Sequence, residues 1–135
     1  MGVAGCTKTS IVRYCELLEP GAVMTKIECI LRPGKLEDVK DALGKFGVHG
    51  MTVSQVIGCG LQKGRTEVYR GTEYSINLLP KIKVEIVIAD RLVDEVVKLI
   101  TTAARTGEIG DGKIFICPVE NAVRIRTGET GESAI

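Results

Sequence analysis

Between Lys81 and Ile88 the chain alternates without a break. Ile82, Val84, Ile86 and Ile88 fall on one side of an extended segment, and Lys81, Lys83, Glu85 and Val87 fall on the other. Such a strand fits a sheet that is covered on one face. Thr25 to Arg32 repeats the pattern, with Ile27, Cys29 and Leu31 against Lys26, Glu28 and Arg32, and Pro33-Gly34 ends it. The period then changes. Over residues 35–46, Leu36, Val39, Leu43 and Phe46 share one helical face, and Gly47 is the expected stop.

Met51 to Gly58, rich in Val and Ile, predicts a second strand ahead of Lys81–Ile88. Asp90 is expected to cap a second helix reaching about Ala104, with Val93, Val96, Val97, Ile100 and Ala104 as its apolar stripe. Lys113 to Cys117 and Ala122 to Arg126 predict two more short strands. The order implies an α+β fold, a ferredoxin-like βαββαβ sandwich with a long loop between strands 2 and 3 and a short extra C-terminal strand. Helices cover one sheet face. The other carries Val56 and Val87 with nothing to cover them, so a partner subunit is expected there.

At 135 residues the chain fits one domain, expected over 24–135, with residues 1–23 as an extension of unknown role. Within that extension Ser10 to Leu18 predicts a short helix, and a signal peptide's basic start and continuous apolar centre are missing. A net charge of +1 gives no global attraction to nucleic acid or an acidic membrane, and with no Trp and two Phe there is little to stack on bases. No direct nucleic-acid binding is expected. Cys6, Cys15, Cys29, Cys59 and Cys117 form no C-x-x-C pair, and His49 is the single histidine, which excludes the common zinc frameworks. Scattered free thiols fit a reducing compartment, and a cytoplasmic location is expected.

The stretch from Gly58 to Lys81 is long for a connection in a small domain, and such loops are usually functional. Gly58, Gly60 and Gly64 open it, and Tyr69-Arg-Gly-Thr-Glu-Tyr74 forms its polar middle. It reads as an exposed contact loop, 60–80; a long hairpin with a polar tip is the bland alternative. A second glycine-rich segment, Thr106 to Lys113, offers successive N–H groups and a lysine to phosphate oxygens. It lacks the Walker pattern, and a helix-to-strand turn accounts for the same glycines. Arg124 and Arg126 alternate with Val123 and Ile125, so both guanidinium groups leave one face of the expected last strand, which suits polyphosphate. Lys81, at the foot of the long loop, can meet a small carboxylate or pair with Glu85. No nucleophile has a base near it in sequence, so binding is favoured over catalysis.

Five blocks carry a more specific signal: Gly50-Met-Thr-Val53, Gln62-Lys-Gly-Arg-Thr-Glu67, Tyr69 to Tyr74, Thr106-Gly-Glu-Ile-Gly-Asp-Gly-Lys-Ile-Phe115 and Arg124-Ile-Arg-Thr-Gly-Glu129. In this order they closely resemble the P-II family of nitrogen-regulatory signal transduction proteins, from Met24 to the end. The resemblance implies a homotrimer with a nucleotide site in each inter-subunit cleft, where ATP and ADP compete and 2-oxoglutarate joins Mg-ATP. It assigns the adenine side to Ile30, Gly50, Met51, Thr52 and Val87. It assigns the phosphates to Gly58, Cys59, Gly60, Gly110, Asp111, Gly112, Lys113, Arg124 and Arg126. Gln62 would ligate Mg²⁺ and touch 2-oxoglutarate, whose pocket Arg32, Lys63, Gly64 and Lys81 would complete.

The resemblance further implies a regulator without enzymatic activity beyond weak ATP hydrolysis. Its loop would meet an ammonium channel or nitrogen-assimilation enzymes and regulators, approaching a membrane only through a channel. A nucleotide-hydrolysing or phosphotransfer enzyme, or a structural trimer of the metal-tolerance type, are the alternatives. Leu61 stands where many members carry arginine, Cys59 replaces a usual phenylalanine, and Thr72 replaces a common alanine or serine. Tyr74 matches the tyrosine uridylylated in some members and is a candidate modification site, with Thr72 a second.

Overall fold

A computed structural model of the chain describes residues 24–60, 67–69, 72–74 and 77–135, with side chains described over 24–59 and 78–135. Strand β1 (Met24–Leu31) leads through a 3-10 turn, Pro33–Lys35, into helix α1 (Leu36–Phe46). Strands β2 (Thr52–Gly60) and β5 (Asn77–Ala89) form a long antiparallel pair, and between them β3 (Glu67–Tyr69) pairs with β4 (Thr72–Tyr74). A second 3-10 turn, Asp90–Leu92, opens helix α2 (Val93–Ala104), and β6 (Gly112–Val119) completes the sheet. Its order is β2-β5-β1-β6 with every neighbour antiparallel, the expected βαββαβ arrangement.

The alternating residues of β1 and β5 build the core as their pattern requires. Ile27, Cys29 and Leu31 meet Val84, Ile86 and Ile88, and Val39 and Leu43 of α1 with Val96 and Ile100 of α2 close over them. Burying each such side chain contributes about 1.5–3 kcal/mol, so this layer between sheet and helices is the main source of stability. Gly47 ends α1 in the left-handed region at φ 106°, returning its N–H to Leu43. Helix α2 ends differently: Arg105 is extended and its N–H bonds the Thr101 carbonyl.

Three local expectations are corrected. The long loop does not begin at residue 60 and end at 80. The ladder runs on to pair Gly60 with Asn77, and the third strand starts at Asn77 rather than Lys81. Pro80 is tolerated because β1 stops opposite Ile82, leaving that part of β5 with a single neighbour. The residue Asp90 does not cap α2 with its side chain; its carboxylate accepts the hydroxyl of buried Thr25, 65 positions away in the chain. The extra strand expected over Ala122–Arg126 shrinks to one bridge between Val123 and Thr130, with a turn closed by Gly128 N–H on the Arg124 carbonyl. A strand needs a ladder partner, and among the described residues this segment pairs only with its own continuation. The extension 1–23, its short helix and residues 61–66 lie outside the described residues.

Candidate functional site

The turn between α2 and β6 is organised from inside by one carboxylate. Asp111 accepts the Thr106 N–H and the Gly107 N–H, each over 2.9 Å, together with the Thr106 hydroxyl. The Nε of Arg32 adds a fourth donor at 3.1 Å. These bonds, those from Thr106 first, hold the Asp111 carboxyl well below the usual carboxylate range. The same Thr106 hydroxyl accepts the Glu108 N–H. Glycine is required where the turn meets β1: Gly112 has φ 105°, and a Cβ there would stand 1.7 Å from the Ile30 carbonyl oxygen.

Two cations grip the outside of this turn. Arg32, the residue after β1, donates an Nη2 proton to the Ile109 carbonyl over 2.9 Å. Lys81 crosses from β5 and donates to the Gly110 carbonyl over 2.7 Å. Its stem passes Gly58, where a Cβ would lie 3.2 Å from Lys81 Cγ. Burial, and then the neighbouring Arg32, lower the Lys81 pKa, with Asp111 opposing them. The expected alternative partner, Glu85, is taken instead by Lys83 at 3.3 Å.

Because each peptide unit is trans, a carbonyl drawn to one side turns the following N–H to the other. With the Ile109 and Gly110 carbonyls on Arg32 and Lys81, the N–H groups of Gly110 and Asp111 therefore point away from the cations. Neither has a hydrogen-bond partner among the described residues. The turn borders a cleft of about 420 Å³ lined by Ile30, Gly58, Cys59, Lys81, Gly110, Gly112 and Lys113. Leu79, Ile109 and Phe115 also line it; their apolar character carried no binding signal in the sequence. The cleft brings Lys81 and Lys113 beside the glycines of the turn, a cationic setting for anionic oxygens.

The other residues assigned by resemblance lie elsewhere. Gly50, Met51, Thr52 and Val87 line a second cleft of about 650 Å³ with His49, Glu85, Arg91 and Ile135. Glu85 was legible as a neighbour of Val87 on the same strand face; Arg91 and Ile135 were not, because only folding brings them there. Lys81 and Val87 are six residues apart on β5, so the two clefts sit about 20 Å from each other along the strand. Ile30 pairs with Lys83 and Lys113 and borders the first cleft, apart from the other adenine-side residues.

Arg124 and Arg126 join neither cleft. Arg124 pairs with Glu129 at 3.0 Å across its own turn, and Arg126 sits in that turn, so the expected common strand face is not formed. Glu132 anchors the tail to Arg91 at 2.5 Å, at the Val87 end of the sheet. The backbone of Gly60 ends β2 at the mouth of the long connection. Gln62, Lys63 and Gly64 lie outside the described residues, as do the side chains of Thr72 and Tyr74. No cluster of three metal-ligating side chains exists among the described residues. Nor is any described helix long and apolar enough to cross a membrane.

Comparison with known proteins gives the same answer at the level of sequence and of fold. The family model for "Nitrogen regulatory protein P-II" matches residues 24–129. A nitrogen regulatory protein P-II of Cereibacter sphaeroides is 57% identical over 112 residues, which cover 83% of this chain and all of that protein. One from Microchaete diplosiphon is 62% identical over the same shares. Among solved structures, an ATP complex of Bacillus subtilis GlnK superimposes with a TM-score of 0.74 at 38% identity, covering 87% of this chain and all of that one. Arabidopsis thaliana PII bound to citrate gives 0.69 at 42% identity, covering 83% and 92%. With matching motifs, matching topology and relatives aligned over their whole length, the chain belongs to the nitrogen regulatory protein P-II family.

Proposed function

We propose that this protein is a homotrimeric signal transducer that binds ATP or ADP and 2-oxoglutarate and passes their state to nitrogen-assimilation targets through the β2–β5 connection. The observation that carries this reading is the Thr106–Gly112 turn, whose Gly110 and Gly112 line one cleft with Lys81 and Lys113 while its Ile109 and Gly110 carbonyls rest on Arg32 and Lys81. Phosphate oxygens take the N–H side with Lys113; a dicarboxylate takes the two cations. Support comes from the GlnK neighbour, which binds ATP, and the plant neighbour, which binds the carboxylate citrate.

The separation of the two clefts favours a site made between subunits. A nucleotide at the Gly110 end of one subunit would meet Gly50, Met51, Thr52 and Val87 of another. Association would also bury Ile30, Val56 and Val87 on the helix-free face and give Ala122–Arg126 a foreign strand to join. Magnesium keeps waters and phosphate oxygens and needs few protein ligands, and Gln62 would be the one that holds it. Effector binding at the foot of the stem would shift the connection only through different affinity for its conformations. An ammonium channel or an assimilation enzyme would receive that signal in the cytoplasm, and modification at Tyr74 or Thr72 would alter the contact.

Calorimetric titration of the whole protein tests the reading. ATP is expected to bind alone, and 2-oxoglutarate only when Mg-ATP is present; Gln62→Ala should abolish the second event and spare most of the first. Binding of 2-oxoglutarate without nucleotide would remove the shared metal site. Absence of any ATP binding would favour a structural trimer, and turnover near 10 per second would favour an enzyme.

A further inference from the structure

The family resemblance places Asp111 among the phosphate contacts, yet its carboxylate faces inward. Its acceptor positions are taken by Thr106 N–H, Thr106 hydroxyl, Gly107 N–H and Arg32 Nε. A carboxylate beside a polyphosphate would repel it. We propose that Asp111 is a positioning residue: it gathers Thr106, Gly107 and Arg32, and thereby aims the N–H groups of Gly110 and Asp111 at the phosphate chain. The proposal rests on the nucleotide reading above and deepens it.

Three observations carry the inference. The donors come from both ends of the problem, the start of the turn and the residue after β1, which lies 79 positions from Asp111 in the chain. Arg32 is shared: its Nε goes to Asp111 while its Nη2 goes to the Ile109 carbonyl, so the carboxylate fixes the cation that fixes the peptide. Lys81 fixes the next peptide through the Gly110 carbonyl, and the trans geometry of both peptides then sets the two N–H groups. Gly110 (φ 102°) and Gly112 (φ 105°) allow that path. Loss of the carboxylate leaves Arg32 and the first half of the turn without their common acceptor, and the N–H groups lose their fixed direction. Preorganised donors of this kind act strongly on anions because they need not reorganise when the ligand arrives.

The test titrates ATP into the full-length wild type, Asp111→Asn, Asp111→Ala and Thr106→Val, once in EDTA and once in Mg²⁺, with thermal melts of each. Positioning requires ATP affinity to fall about tenfold or more in Asp111→Ala, the scale of one lost hydrogen bond to a charged group. The fall should be equal with and without magnesium. Asp111→Asn, which keeps an acceptor oxygen, should fall less, and Thr106→Val should shift the same way with its fold intact even if the Asp111 variants are unstable. A loss seen only with magnesium would make Asp111 a metal ligand. A gain in affinity would make it a direct, repulsive neighbour of phosphate. Unchanged affinity, or affinity that merely follows melting temperature across the four proteins, overturns the proposal. Wild type that binds no ATP overturns the underlying reading itself, and no variant is needed to see it.

Discussion

Lys81 Nζ lies 2.7 Å from the carbonyl oxygen of Gly110, tying the foot of the β2–β5 stem to the turn that enters β6. The cation thereby stands between the connection that would report a signal and the turn that would hold phosphate. Lys81→Ala should abolish 2-oxoglutarate binding in the presence of Mg-ATP, measured by calorimetry. ATP affinity should fall by less than about tenfold, since only one hydrogen bond to the turn is lost. Unimpaired 2-oxoglutarate binding would remove Lys81 from that pocket.

Gly112 packs directly against the Ile30 peptide, where a Cβ would stand 1.7 Å from the carbonyl oxygen at a φ of 105°. Both the clash and the backbone strain oppose any side chain there. Gly112→Ala should destabilise the fold by about 2–4 kcal/mol in urea unfolding. Gly34→Ala, with open space around it and no positive φ, should change stability by less than about 0.5 kcal/mol. Equal effects would contradict this packing.

Burial, and then the nearby Glu28, push the Cys29 thiol up from 9.0 to about 11. The folded state therefore keeps a proton that the unfolded chain loses. This contribution is fully present below pH 9 and is lost as pH rises from 9 towards 11; the shift corresponds to about 2–3 kcal/mol. Cys29→Ser or Cys29→Ala should flatten the decline in unfolding free energy over that window. In the native protein at pH 8, iodoacetamide should label exposed Cys59 well before Cys29, read by peptide mass spectrometry.

Leu43 is fully buried between α1 and the sheet, whereas Leu78, near the start of β5, is 68% exposed. Leu43→Ala should lose about 2–5 kcal/mol and Leu78→Ala about 0.5 kcal/mol or less. A large loss at Leu78 in a concentration-dependent melt would instead place it in a contact between subunits.

The faces of β1, β5, α1 and α2 were legible because a period of two or of 3.6 residues is a local property, written in neighbours. Ile82, Val84, Ile86 and Ile88 are inside for the reason their alternation states. The stem was less legible. Gly58 to Pro80 looks polar and glycine-rich, yet its ends pair because β2 and β5 continue each other's ladder, a property of two segments rather than one.

By itself the sequence determined the βαββαβ order, the core-facing residues, the glycine turn before β6 and the motifs that place the chain in its family. Only the tertiary structure decided which group each charged side chain would meet. Asp90 turned to Thr25 rather than to its helix, Lys81 to Gly110 rather than to Glu85, and Asp111 to Arg32 and Thr106 rather than outward. Arg124 lost its strand because, among the described residues, its segment forms a single bridge, Val123 to Thr130, and it bonded Glu129 instead. The physical reason is common to all four. A hydrophobic face is selected by burial, which any covering layer satisfies, whereas a hydrogen bond needs one particular partner within about 3 Å, and that partner is supplied by folding.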